Sequence, residues 1–444
     1  MESIKKWFIK HNISEVECII PDITGIQRGK IMPASKFTQE NGIRIPESIF
    51  TQTVTGDWPD ESTLVDPAEF DMLLRPDADT IRIVPWAKKP RAQIIHDCYN
   101  QQEELVSFAP RSILRKILKL YEDKHWQPVV APELEFFLTK TNPDPDYPLE
   151  PPVGRSGRQE IGRQPYGIEA LDEFTAFYED IYKFCDAQNL DIDTLIHEGG
   201  AAQLEINFLH GEPLSLADQS FLFKRTVREA AIGHQMYATF MAKPMENEAG
   251  SSMHIHQSIL DKKTHQNIFI NEEGKNSNYF FSYIAGLQKY LPAAMPFFAP
   301  NVNSFRRFTR DMACPINVHW GYDNRTVGLR IPFSSPENTR VENRVAGADA
   351  NPYLAIALTL ACGYLGMEEN LEPTPPFEGN AYDLPFGLPR TLHESLRQLK
   401  NNQVLQDVLG EQFVRIYIAV KEKEYQTYYR VISPWEREFL LLNV

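Results

Sequence analysis

The spacing of hydrophobic and polar positions changes along the chain, and this change predicts an α+β protein with two domains. Residues 113–121 carry apolar side chains at the helical period just after Pro110, with Ser107 as the expected cap. This strong helix signal opens the larger of the two domains. We therefore place a small N-terminal domain at residues 1–105 and the second domain at residues 106–444.

The same criterion divides the rest of the chain into further elements. Period-two alternation or short apolar runs predict strands over residues 15–20, 80–84, 93–99, 129–139, 192–208 (two strands) and 251–260. The helical period predicts helices over residues 4–11, 169–189, 216–241, 278–298, 353–367, 392–409 and 411–430. Turn-forming residues predict loops over 47–67 and 141–165, and Asp349 and Asn351 are expected to cap the helix over 353–367.

Composition limits the classes of function. The chain has 444 residues, a formal charge of −15 and 42% hydrophobic residues, so we expect no binding to nucleic acid. The longest apolar run, residues 353–367, is shorter than the roughly 20 residues that span a bilayer, and no signal peptide is recognisable. Five separated cysteines without a CxxC pair indicate a reducing compartment. The expectation is a cytoplasmic protein without a membrane partner.

Residues 301–344 form a basic stretch that runs against this acidic balance. It holds no lysine and seven arginines: Arg306, Arg307, Arg310, Arg325, Arg330, Arg340 and Arg344. Arginine offers planar, bidentate and permanently charged donors, which suit carboxylates and phosphates. A solvated charged face is the alternative, but interleaved residues such as Trp320, Val327 and Leu329 favour half-buried strands.

A second group combines carboxylates and imidazoles on predicted strands. Residues two apart on a strand share a face, which pairs Glu133 with Glu135 and His254 with His256. Further acids in similar settings are Glu198, Glu205 and Glu342. Each one taken singly is more often a salt-bridge partner or a packed side chain. Together, many carboxylates with few imidazoles favour Mg²⁺ or Mn²⁺ over zinc and suit phosphoryl transfer beside the arginines. No P-loop or kinase glycine loop is present, so ATP would bind through another fold.

Several motifs identify a family resemblance. ELEFFL, HEGGAAQLEINF, SSMHIHQS, NSFRRF, DNRTVGLRIP and RVENRVAGADANPYLAIA resemble, in order and spacing, motifs of the glutamine synthetase family, most of all its γ-glutamylpolyamine-forming branch. The resemblance covers essentially the whole chain. It implies a β-grasp-like N-terminal domain, a catalytic domain with an antiparallel sheet flanked by helices, and a homo-oligomer, usually a dodecamer of two hexameric rings with active sites between subunits.

The resemblance also implies a reaction and roles for residues. ATP phosphorylates the side chain of L-glutamate, and an amine then displaces phosphate. The matched positions are Glu135, Glu198 and Glu205 for one metal; Glu133, His254 and Glu342 for the other; Arg307, Arg325 and Arg344 for catalysis and glutamate binding, with Gly250 and His254 also on the glutamate side; and His256, Ser258, Arg330 and Arg340 for ATP.

One departure from the family pattern bears on the substrate. Ammonium-using members carry a glutamate that deprotonates ammonium, but this chain has Ala313 there. The resemblance together with this change implies a primary amine or polyamine as substrate, such as putrescine or spermidine. A second cation of a polyamine would need an acidic or aromatic partner, which Asp57, Trp58, Asp60 and Glu61 of the 47–67 loop could supply.

Three alternatives stay open. The first is an ammonium-using glutamine synthetase with a substitute base. The second is a ligase for another amine, such as ethanolamine. The third is a catalytically silent ring.

Overall fold

The computed structural model describes residues 1–39, 42–61, 63–65, 68–310 and 313–444. In these residues, six N-terminal strands form one sheet in the order β2-β1-β6-β4-β3, with β5 against β6. The strands are β1 Glu15–Pro21, β2 Gln27–Pro33, β3 Ile43–Pro46, β4 Asp71–Pro76, β5 Arg82–Ile83 and β6 Arg91–Tyr99. The central pair β1 and β6 is parallel and the other pairs are antiparallel.

A second sheet carries the candidate chemistry. Its strands are β7 Trp126–Lys140, β8 Ile192–His197, β9 Gln203–Phe208, β10 Met236–Thr239, β11 Met253–Asp261, β12 Trp320–Tyr322, β13 Leu329–Ile331 and β14 Val341–Asn343. Their order is β12-β13-β14-β11-β7-β9-β8, with β10 against β7. The pairs are antiparallel except β12 and β13, which run parallel. The α+β class and its two sheets are confirmed, whereas the domain boundary at 105/106 stays a prediction.

Helices cover the sheets and build the core. They are α1 Glu2–Lys10, α2 Ala34–Phe37, α3 Pro110–Asp123, α4 Ile168–Asp172, α5 Thr175–Gln188, α6 Pro213–Gly233, α7 Asn278–Phe298, α8 Pro352–Glu368, α9 Leu392–Lys400, α10 Gln403–Leu409, α11 Glu411–Tyr429 and α12 Pro434–Leu440. All but the last residue of α8 are buried, so its continuous apolar run is a core helix that packs against α7 and α3. None of the helices in the described ranges is long and apolar enough to cross a membrane.

The helix predicted over 216–241 is wrong at its C-terminal end. The helix stops at Gly233, and Gln235 takes a left-handed backbone with φ of 57°. The next four residues form β10, in which Met236 pairs with Lys140 and Thr239 with Phe137. This short strand exists because β7 offers a free edge there, and the local pattern could not show that.

Other differences concern segment ends and caps. The predicted helices over 169–189 and 392–409 are each split in two, and strands β3 and β4 were not predicted. The 47–67 loop begins with a 3₁₀ turn over Glu47–Thr51, and its residues 62, 66 and 67 lie outside the described ranges. Ala109, not Ser107, precedes α3 as its N-cap.

Candidate active site

The register of the central strands brings the predicted acids and histidines onto one face of the second sheet. On β7, Glu133 lies opposite His254 of β11, and Glu135 lies opposite Glu205 of β9. On the other side, His256 lies opposite Glu342 of β14. Directly opposed side chains in neighbouring strands are close enough to interact. The shared face predicted from the two-residue spacing is therefore part of one continuous row of acids and histidines across β14, β11, β7 and β9. We refer to it as the acidic row.

Two of these carboxylates, Glu135 and Glu205, lie directly opposite each other on neighbouring strands. They are 7% and 6% exposed. Burial and the charge of Glu198 raise the pKa of Glu135 to about 8. Burial and the neighbouring acids Glu133 and Glu135 hold the pKa of Glu205 well above its usual range. Because like charges at this distance are unfavourable, the arrangement favours a bound cation.

Glu133 has a different environment from that pair. Its two oxygens are 3.2 Å from Nδ1 of His254 and 2.8 Å from Nε2 of His256. Burial alone would raise the pKa of Glu133, but the hydrogen bonds to the two histidines lower it. Nε2 of His254 is buried and has no hydrogen-bond partner among the described residues; it lies 4.0 Å from Oε1 of Glu135. An orphaned imidazole nitrogen among carboxylates fits a metal ligand.

Two compact sets of potential ligand atoms lie in this row. Glu133, Glu205 and His254 form one set, and Glu133, His256 and Glu342 form the other, each with its atoms within 4.8 Å of one another. The donors are mainly carboxylate oxygens, which fits Mg²⁺ or Mn²⁺. The sets divide the residues differently from the predicted metal groups, since His256 joins Glu342. The individual metal assignments stay predictions.

A cavity of about 550 Å³ opens over the row. All six predicted metal ligands line it, together with Gly250, Arg325, Arg330 and Arg344; the six are Glu133, Glu135, Glu198, Glu205, His254 and Glu342. Nη1 of Arg344 is 2.5 Å from Oε1 of Glu342, and Nη1 of Arg330 is 3.0 Å from the second oxygen. Burial would raise the pKa of Glu342, but the charge of Arg344 and of the two histidines lowers it to about 2. Glu342 is thus ionised and already paired.

Arg307 lies beneath the cavity wall rather than at its surface. It is 1% exposed, and it donates from Nη1 to Oγ of Ser252 at 2.9 Å and from Nη2 to the carbonyl of Val345. A Cβ on Gly250 would lie 2.3 Å from Cγ of Arg307, so only glycine fits over this side chain. Arg307 therefore supports the Gly250 segment in this structure, and its predicted contact with glutamate stays a prediction.

The predicted ATP residues mostly line a neighbouring cavity of about 650 Å³. His256, Ser258 and Arg340 face it, and Nε of Arg340 is 3.3 Å from Nδ1 of His256. Glu133 lines both cavities, so the two meet at the acidic row. Arg330 lies in the first cavity instead of the second.

The structure adds residues that the sequence interpretation missed. Tyr166, Gln203, Asn207 and Tyr382 also line the first cavity. Gln203 donates from Nε2 to Oε2 of Glu135 at 3.1 Å and to the carbonyl of Gly250. Gln203 and Asn207 lie two residues on either side of Glu205, so strand alternation could have identified them. The two tyrosines come from loops and gave no comparable signal.

Ala313 lines the first cavity beside Cys314, next to residues 311 and 312, which lie outside the described ranges. Its φ of 59° is left-handed. Cys314 is buried, and burial raises the pKa of its thiol to about 11, so it is an unreactive wall residue. Among the described residues, the part of the wall formed by Ala313 and Cys314 is therefore small and neutral.

Two acids of the 47–67 loop form salt bridges with residues of α11. Asp60 lies 2.7 Å from Nζ of Lys423, and Glu61 binds Arg415, both on α11. Asp57 accepts from Oγ1 of Thr55 at 3.2 Å. None of the three acids is among the described residues that line the cavity of their own chain.

A sheet face of buried carboxylates, with arginines at its rim and a second cavity alongside, defines an enzyme of phosphoryl and acyl transfer. The model of the glutamine synthetase catalytic domain matches residues 107–440. The chain therefore belongs to the glutamine synthetase family. The predicted enzyme class, a glutamate–amine ligase, is confirmed at the level of this family.

Curated relatives match over nearly full length. The γ-glutamylputrescine synthetase of Escherichia coli K12 is 34% identical, over 100% of this chain and 95% of its own. The glutamate–isopropylamine ligase of a Pseudomonas species is 30% identical, over 98% and 96%. The glutamine synthetase of Methanocaldococcus jannaschii is 29% identical, over 98% and 97%. A solved structure of ligand-free GmaS superposes with a TM-score of 0.84 at 25% identity and covers both chains completely.

Proposed function

We propose that the chain is an ATP- and Mg²⁺-dependent ligase that joins the γ-carboxylate of L-glutamate to a primary amine or polyamine. The observation that carries the proposal is the row of buried acids in one cavity with Arg325, Arg330 and Arg344, next to the described neutral residues Ala313 and Cys314. The acids supply sites for cations, and the arginines supply donors for carboxylate and phosphate. Mn²⁺ is the alternative ion, because both ions prefer the same oxygen donors.

In the first step, an oxygen of the glutamate γ-carboxylate attacks the γ-phosphorus of ATP, and ADP leaves. Bound divalent cations supply charge neutralisation for the phosphate oxygens. Arg325 and Arg344 hold the glutamate and the transferring group from the first cavity. His256, Ser258 and Arg340 hold the nucleotide from the second cavity. The product is γ-glutamyl phosphate, positioned where the two cavities meet.

In the second step, the amine nitrogen attacks the acyl carbon of γ-glutamyl phosphate. The carbon–oxygen bond to phosphate breaks, an amide forms, and the nitrogen loses a proton. Ala313 cannot accept that proton or bind ammonium as a carboxylate would. A small neutral residue leaves room for the carbon substituent of a larger amine. This step therefore favours alkylamines over ammonium.

The charged groups around the cavity limit which amines are suitable substrates. The carboxylates that line the described cavity are those of the acidic row, so the chain shows no separate acid there for a second ammonium group. A polyamine would need Asp57 from a neighbouring subunit, because Asp60 and Glu61 bind α11. A monoamine such as isopropylamine is the second candidate, and the neutral wall formed by Ala313 and Cys314 favours it.

We also propose a homo-oligomeric ring assembly, a dodecamer of two hexamers. The family resemblance supports it, as does the observation that Asp57, Asp60 and Glu61 do not line the described cavity of their own chain. Light scattering should give a mass about twelve times the 51.0 kDa of the chain. A monomer or dimer with full activity would contradict the shared-site arrangement.

The decisive experiment measures ADP formation with ATP, L-glutamate and Mg²⁺ across a panel of amines. The panel contains putrescine, spermidine, isopropylamine, ethanolamine and ammonium. We expect strong activity with at least one alkylamine and little with ammonium. Strong activity with ammonium alone would overturn the interpretation of Ala313, and no glutamate-dependent ADP with any amine would overturn the ligase proposal.

A further inference from the structure

A cluster of buried and half-buried polar side chains lines neither the first nor the second cavity and belongs to none of the predicted catalytic, binding or metal sites. Its members are Lys224 of α6, Asn301, Ser304 and Asp349, and we refer to them as the brace. Asp349 was expected to cap α8, but Asn351 alone accepts the hydrogen bond from the Tyr353 amide. The carboxylate of Asp349 is therefore free for another task.

Asp349 connects two segments that each carry an active-site arginine. Its Oδ2 accepts from Nδ2 of Asn301 at 2.7 Å and from Oγ of Ser304 at 2.6 Å. Ser304 is in the 3₁₀ turn Asn303–Arg307, and Asp349 follows Arg344 by five residues. One carboxylate oxygen thus fixes the Arg307 turn against the chain that leaves Arg344.

Lys224 fixes the same chain from the other side. Its Nζ donates to the carbonyls of Ala348 and Ala350, both at 2.7 Å, so it binds the residues on either side of Asp349. Burial and the charge of Arg228 lower the pKa of Lys224 to about 7, while Asp349 acts in the opposite direction. Removing such a buried donor would leave two backbone carbonyls without this partner.

Further hydrogen bonds extend the brace to the glycine segment of the cavity wall. The amide of Ala348 donates to the carbonyl of Ser251 at 3.0 Å. Ser252 accepts from Arg307, and its amide donates to Oε2 of Glu135 at 2.8 Å. Arg307 in turn donates to the carbonyl of Val345. These hydrogen bonds connect the brace, through Ser252 and Arg307, to Glu135 in the acidic row.

We propose that Asp349 and Lys224 are positioning residues that set Arg307, Arg344 and the Gly250 segment for glutamate binding. The inference rests on the proposed ligase function. Neither residue lines either of the two cavities assigned to the substrates. Their effect passes through the arginine-bearing segments, so their loss should weaken glutamate binding more than ATP binding.

The test compares Asp349→Ala and Lys224→Met with Asp349→Asn and Tyr417→Phe. An asparagine side-chain oxygen can accept both hydrogen bonds, so Asp349→Asn should restore near wild-type kinetics. Tyr417→Phe removes a buried hydrogen bond, to the carbonyl of Pro296 at 2.6 Å, and controls for a general loss of stability. We expect the KM for glutamate to rise about 10- to 100-fold in the two disruptive variants, as for a small misplacement of binding groups, with a much smaller change for ATP.

Hydrogen–deuterium exchange gives a readout without activity. Backbone amides of residues 301–308 and 344–350 should exchange faster in Asp349→Ala and Lys224→Met than in the wild type or in Tyr417→Phe. If exchange and KM in the disruptive variants match Tyr417→Phe, the brace proposal is wrong. Should Asp349→Ala fail to fold, Lys224→Met and Asp349→Asn decide the question.

The two proposals fail in different ways. A wild-type protein without glutamate-dependent ADP formation would overturn the ligase function and, with it, the role of the brace in glutamate binding. An active wild type whose Lys224→Met variant keeps the wild-type KM for glutamate would overturn the brace alone.

Discussion

Two buried clusters of charge in this chain differ in how their carboxylates are paired. In the first, Arg111 lies between Asp77, Asp97 and Asp218 at 2.5 to 2.8 Å. Arg115 adds further contacts to Asp77 and Asp97. Every carboxylate of this Arg111 cluster therefore contacts a guanidinium, and the group joins the N-terminal sheet to α3 and α6.

Of the five glutamates that line the first cavity, by contrast, only Glu342 contacts an arginine or lysine within 4.0 Å in the described part of the chain. Glu133 is hydrogen-bonded to two histidines. Glu135, Glu198 and Glu205 have no arginine or lysine partner among the described residues, and burial raises the pKa of each. The chain contains both clusters, and only the second leaves buried carboxylates without an arginine or lysine partner among the described residues. The comparison indicates that complete pairing marks a structural cluster, whereas unpaired buried acids mark a site that awaits a cation.

The largest expected effect is on activity. Glu135→Gln keeps the shape of the side chain but removes a charge from the acidic row, so ADP formation should fall by about 10³-fold or more. In EDTA, the thermal midpoint of Glu135→Gln should equal or exceed that of the wild type, because the variant no longer buries a carboxylate that has no arginine or lysine partner. Asp218→Asn in the Arg111 cluster is the matched control and should lower stability while it keeps turnover per folded chain. Near wild-type turnover in Glu135→Gln would show that the row does not bind the catalytic cations.

The next effect is on stability. Arg111→Met leaves the buried carboxylate of Asp218 without its guanidinium partner, which should cost about 3–5 kcal/mol of unfolding free energy. Arg115→Met, at a position with a 35% exposed side chain, should cost about 1 kcal/mol or less. Thermal unfolding of both variants measures the difference. Equal losses would mean that burial does not decide the contribution of these pairs.

A smaller effect is the pH dependence of the metal-free protein. The pKa of Glu135 is raised to about 8, so its contribution to stability is present below about 4.5 and is lost as pH rises through 8. The expected loss approaches about 1.4 kcal/mol per pH unit for one carboxylate. Thermal midpoints in EDTA at pH 6 and 8 should therefore fall more in the wild type than in Glu135→Gln. Identical slopes would contradict the raised pKa.

The smallest effect concerns substrate preference. Ala313→Glu adds a sixth carboxylate to the cavity at a left-handed position that already holds a non-glycine residue. We expect the ratio of kcat/KM for ammonium to that for the best alkylamine to rise about tenfold, or about 1.4 kcal/mol. Ala313→Gln has the same size without the charge and should leave that ratio low. An equal shift in both variants would point to size rather than charge.

Much of the site was predictable because strands impose a strict alternation. The two-residue spacing of Glu133 with Glu135 and of His254 with His256 predicted shared faces, and the register confirms them. Their metal sets were not predictable, because the opposition of Glu135 to Glu205 and of His256 to Glu342 depends on pairing between distant strands.

The rest depended on contacts that leave no local pattern. Arg307 looks like its neighbours in sequence, but packing under Gly250 buries it. Asp349 resembles a helix cap, yet its partners lie almost fifty residues earlier. Strand β10 forms only because β7 presents an edge, which overrides a helical pattern.

Isothermal titration calorimetry of Mn²⁺ binding at pH 7.5 tests the central claim most directly. It compares the metal-free wild type with the metal-free Glu135→Gln variant. The account predicts saturable binding of more than one ion per chain to the wild type and the loss or marked weakening of at least one site in the variant. No binding to the wild type, or identical binding to both proteins, would contradict the assignment of the acidic row as the cation site.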